Sequence, residues 1–177
     1  MVTTDGRLVI SSSRDESVKV WELESGKEIS AFTCHSATHG SMAIIPDGKN
    51  VVIASGDGSL EVWNLESGRE LRRLINNRDL YRSARILSYG IPLEIMAGRI
   101  VNCSVVVTDD RRWVISCQWD NVIDVWDYAS GKIITSFYAN ANILDVAVTP
   151  DGRTIVAGDS IGGVYFLRLI LPEDEKL

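Results

Sequence analysis

Val18-Lys19-Val20-Trp21-Glu22, Leu60-Glu61-Val62-Trp63-Asn64 and Ile123-Asp124-Val125-Trp126-Asp127 are three versions of one pattern. Each alternates apolar and polar residues up to a Trp, the period of two that marks a half-buried strand. A turn follows every time: Glu24-Ser25-Gly26-Lys27, Glu66-Ser67-Gly68-Arg69 and Ala129-Ser130-Gly131-Lys132. Glycine there can take positive φ and send the chain back along a neighbouring strand.

The pattern extends upstream at constant spacing. Asp5, Asp15 and Trp21 are separated by 10 and 6 residues; Asp47, Asp57 and Trp63 repeat this, and so do Asp110, Asp120 and Trp126. Asp151 opens a fourth copy, in which the same spacing lands on Ile161 and Leu167. Asp159 and Tyr165 stand six residues apart nearby, but pairing them as the motif would shorten the first gap to 8. The constant register is preferred, so the fourth copy keeps the strand pattern and lacks both the Asp and the Trp of the others. Successive anchor Asp residues lie 42, 63 and 41 apart, with about 21 extra residues between the second and third copies.

A period near 42 ending in Trp-Asp or a variant resembles the WD40 repeat family, whose repeats run ~40–45 residues with four strands per blade. Trp126-Asp127 matches the dipeptide; the others read Trp21-Glu22 and Trp63-Asn64. The resemblance implies an all-β fold, a WD40-type β-propeller arc of just under four four-stranded antiparallel blades. It also implies a structural relay of hydrogen bonds from a His before the first strand, through the turn Asp, to the Trp. Only the second copy holds all three, as His35, Asp57 and Trp63. Asp15 and Trp21, and Asp120 and Trp126, supply parts of it in the first and third copies. The family's strand-borne Ser or Thr is Ser11 in the first copy and Ser116 in the third, while the second has Ile53. Such a relay is physically reasonable, because a buried indole N–H needs an acceptor.

Strands are expected at 7–12, 17–22 and 28–33; at 41–45, 50–55, 59–65 and 69–75; at 102–107, 112–117, 121–127 and 132–138; and at 143–148, 153–157 and 163–170. Met1 to Thr4 would be the stub of a first inner strand. The blades then span about 1–38, 39–75, 100–139 and 140–171, with an insertion at about 76–99 and a polar tail at 172–177. A seven-blade ring would need roughly 280–315 residues, more than the 177 present. The sequence is therefore expected to be part of a longer protein, a half-propeller that pairs with a second copy, or an arc held by a partner. The first is favoured because the sequence opens inside a repeat. Gly163-Val164-Tyr165-Phe166-Leu167-Arg168-Leu169 with its polar tail also resembles the end of WD40 arrays in bacterial signalling NTPases of the NACHT/NB-ARC type.

Composition narrows the functional classes. A formal charge of −6 argues against whole-surface nucleic-acid binding, and no apolar run approaches the ~20 residues of a membrane span. Three cysteines, Cys34, Cys103 and Cys117, without a secretion signal suit free thiols in a reducing cytoplasm. The window from Arg69 to Arg99 carries seven Arg against Glu70, Asp79 and Glu94, leaving it +4 and the remainder −10. It reads either as a solvated loop or as a contact surface for an acidic partner, with Arg72, Arg73, Arg78, Arg82 and Arg85 as candidate partner-binding residues. Asn76 to Asp79 could open a short helical turn. Trp119 occupies a turn where small or polar residues are expected, so it either anchors a partner or folds over the neighbouring blade. Cys34-His35 with His39 is too few ligands for a structural zinc site. Neither a nucleophile elbow nor a phosphate loop is present. The expected function is a non-catalytic protein-interaction scaffold without cofactor. The alternatives are a sensor segment of a signalling NTPase and, more remotely, an enzyme using the propeller face.

Overall fold

Every expected strand is present in the computed structural model, which describes residues 1–13, 15–34, 41–55, 59–75, 102–118 and 121–170. The strands form four antiparallel sheets in chain order. The first holds β1 (Leu8–Ser12), β2 (Ser17–Glu22) and β3 (Glu28–Thr33). The second holds β4 (Met42–Ile44), β5 (Asn50–Ala54), β6 (Leu60–Asn64) and β7 (Arg69–Leu74). The third holds β8 (Asn102–Val107), β9 (Trp113–Gln118), β10 (Val122–Asp127) and β11 (Lys132–Tyr138). The fourth holds β12 (Ile143–Val148), β13 (Thr154–Asp159) and β14 (Val164–Arg168). Each strand pairs with its sequence neighbour, the up-and-down topology of a propeller blade. The stub of an inner strand in the first sheet is a single bridge, Val2 to Val9, backed by Ile10 N–H donating to Met1 O at 2.8 Å. The helical turn expected at Asn76 to Asp79 lies outside the described residues.

Cross-strand pairing settles the register of the fourth copy. Trp21 lies opposite Val9, Trp63 opposite Val51 and Trp126 opposite Val114, each four residues after its anchor Asp. Leu167 lies opposite Ile155, four after Asp151, so it occupies the Trp place. In the first three sheets the pairing slips by one residue immediately before the Trp. A bulge there adds local twist.

The turns explain the repeated Asp. In the first copy Asp5 Oδ1 accepts from Thr3 Oγ1 at 2.6 Å and from Arg7 N–H at 3.0 Å. Asp110 and Asp151 make the same pair of bonds to Thr108 and Arg112 and to Thr149 and Arg153. In the second copy Ile45 stands in the Thr place; Asp47 keeps the amide bond, from Lys49 N–H at 2.8 Å, and adds one from Asn50 N–H at 3.1 Å. The residue after the anchor is Gly at φ 69°, 67° and 68° in three copies, but Arg111 at φ 60° in the third. A side chain in the left-handed region costs about 1–2 kcal/mol. Arg111→Gly is therefore expected to stabilise the protein by about 1 kcal/mol, less the entropy glycine adds to the unfolded chain. A urea melt checks this, and no rise in midpoint would place the strain elsewhere.

The core lies between sheets rather than within them. Ile10, Val18, Val20 and Phe32 of the first sheet pack on Val51, Ile53, Trp63 and Leu65 of the second. Val52, Leu60, Val62 and Leu74 of the second meet Val114, Trp126 and Tyr128 of the third. Ile115, Ile123, Val125 and Phe137 of the third meet Ile155, Ala157, Leu167 and Leu169 of the fourth. Each strand alternates its side chains between the preceding and the following junction. This explains why both faces of the middle sheets are apolar while the end sheets have one wet face.

Candidate functional site

The chemically richest point of the described chain is the junction of the first two sheets. Strand β6 aims Glu61 and Trp63 at the first sheet, since residues two apart share a face. The Glu61 side chain is fully buried, 0% exposed. Its carboxylate accepts from Trp63 Nε1 at 2.9 Å, from Ser55 Oγ at 2.7 Å and from Arg73 Nη2 at 2.8 Å. Arg73 reaches across from β7 and also pairs with Glu70, Nε to Oε1 at 3.3 Å. A buried carboxylate is tolerable only with such a set of donors.

The three Trp residues of the motif find different acceptors. Trp21 Nε1 donates to Ser11 Oγ at 3.0 Å, and Trp126 Nε1 to Ser116 Oγ at 2.9 Å. Ile53 cannot accept, and Trp63 turns to Glu61 on its own strand. The third sheet has a related arrangement at the same repeat positions: Ser136 Oγ of β11 donates to Asp124 Oδ1 at 2.5 Å. The fourth exchanges donor and acceptor. Tyr165, at the Glu61 place, donates its hydroxyl to Asp159, at the Ser55 place, at 2.9 Å.

Asp159 also supplies what the missing turn Asp would. In the first copy Asp15 Oδ1 accepts Ser17 N–H at 3.0 Å and Ser17 Oγ at 2.6 Å, bonds that hold its carboxyl below the ordinary range. In the fourth, Asp159 Oδ1 accepts from Gly163 N–H at 2.6 Å and from Ile161 N–H at 3.0 Å. Burial pushes Asp159 up, yet the donors from Gly163, Tyr165 and Ile161 outweigh it and leave the carboxyl below its usual value. The carboxylate has moved two places along the chain while serving the same amide, so the fourth turn is closed without the motif Asp.

Two arginines singled out for partner binding are engaged within the protein. Arg72 Nη1 donates to Ala129 O at 3.0 Å, and its guanidinium lies over the Tyr128 ring, 4.2 Å from the centroid. It thus ties the second sheet to the third. Arg73 is the counter-ion of Glu61. Charge reversal at either would strike the fold before any partner. Arg78, Arg82, Arg85 and Trp119, and the relay members His35, Asp57 and Asp120, lie outside the described residues. The missed residue is Glu61. Its signal was available: a carboxylate two places before a Trp whose usual Ser acceptor is replaced by Ile53.

Nothing described converges as a catalytic set. Cys34 is fully buried, its S–H 3.4 Å from Glu16 O. Burial, with the nearby charges of Glu61 and Glu16, pushes the thiol up to about 11, so it stays protonated at neutral pH. Among the described residues, no group of three or more His, Cys, Asp or Glu is placed to hold a metal ion.

The family model for the WD domain, G-beta repeat, matches residues 2–22 and 26–64. Apoptotic protease-activating factor 1 of Rattus norvegicus is 27% identical over 94% of this chain. Cross-pathway control WD-repeat protein 2 of Flammulina velutipes is 34% identical over 28% of it, and the ribosome biogenesis protein WDR12 homolog of Anopheles gambiae 33% over 37%. The chain aligns with 16% of the length of each of these relatives.

Proposed function

Because this chain is built of WD40 repeats, we propose that it acts as a non-catalytic scaffold whose rim loops engage a protein partner. The observation that carries the reading is the stacking of four sheets through three apolar junctions. Such a stack holds its loops in fixed relative positions and lowers the entropy cost of binding. With Arg72 and Arg73 engaged internally, the contact falls to Arg78, Arg82 and Arg85 of the insertion, together with Trp119. The arginines suit an acidic stretch of a partner, and an indole is a strong anchor. The same proposal puts the protein in a reducing cytoplasm, supported by Cys34 and Cys117, which are buried and not joined in a disulfide.

The test compares the wild-type chain with a Trp119→Ala, Arg78→Glu, Arg82→Glu, Arg85→Glu variant. Partners captured by crosslinking in the native host are identified by mass spectrometry and re-measured with purified components. The variant is expected to melt like the wild type and to lose at least tenfold in affinity. Undiminished binding would move the contact elsewhere, and the absence of any saturable partner would remove the scaffold reading.

A second reading is compatible with the alignment to apoptotic protease-activating factor 1 over 94% of the chain. It makes the repeats a sensor segment working with a signalling NTPase. Nucleotide-binding motifs in the same open reading frame would support it, and a frame without them would exclude it.

A further inference from the structure

No further inference is drawn: the strongest candidate, the surface row of exposed apolar residues that the edge strands β3, β7 and β11 carry at one repeat position as Ile29, Leu71 and Ile134, carries nothing because nothing in the structure shows what covers it.

Discussion

Glu61→Ala is expected to destabilise the protein by about 3–5 kcal/mol, the range for breaking a buried ion pair by removing one partner. Three donors lose their acceptor together: the Trp63 indole, the Ser55 hydroxyl and the Arg73 guanidinium. Arg73 is 26% exposed and can turn toward water, but the Trp63 indole is buried. An orphaned buried donor costs about 1–3 kcal/mol. Glu61→Gln keeps the shape and one acceptor oxygen, so a loss of about 1–2 kcal/mol is expected. Urea denaturation measures both, and hydrogen exchange locates the effect. Amides of the first sheet should lose protection most, because Glu61 lies where that sheet docks. A Glu61→Ala loss below about 1 kcal/mol would show that the carboxylate is not a keystone of the junction.

The second large effect separates residues that the sequence presents as equivalent. Trp126→Ala is expected to cost about 3–5 kcal/mol, since the side chain is 0% exposed and fills the junction between the second and third sheets. Trp21→Ala at the same repeat position is expected to cost only about 1 kcal/mol, because Trp21 lies on the partly exposed outer face of the first sheet. Both indoles have a Ser acceptor at nearly the same distance, so the difference is one of burial rather than hydrogen bonding. Ser116→Ala serves as the control, removing the acceptor while the ring stays packed, at about 1–2 kcal/mol. Equal costs for the two Trp substitutions would mean that the first sheet's outer face is covered in solution.

Much of the fold was legible before any coordinates. Alternation of apolar and polar residues has a direct geometric cause, and constant spacing from Asp to Trp sets the hairpin register of the first three copies. Leu167 was placed in the Trp position from spacing alone, and its pairing with Ile155 agrees. The repeat period also led to the WD40 family, whose model matches the first two repeats. The fourth turn was different. Spacing marked it as lacking its Asp, yet Asp159 reaches the same amide from two residues upstream. A carboxylate's reach of a few ångströms is invisible to a count of residues.

The partner-binding arginines show the same limit. Sequence grouped Arg72 and Arg73 with the insertion because charge is counted along the chain. In the fold, adjacent strand residues point to opposite faces, so Arg72 reaches Tyr128 of the following sheet while Arg73 turns back to Glu61. Which side chains are available to a partner depends on neighbours 57 and 12 residues away.

The sheets, their hairpin register and the repeat that relates them follow from local periodicity and turn chemistry, which a string of residues already carries. The tertiary structure alone decided which motif residues are structural and how strongly. Burial and the pairing of Arg72 with the third sheet both arise from one sheet stacking on the next. That stacking brings together residues distant in sequence, and only there do desolvation and packing set the energies.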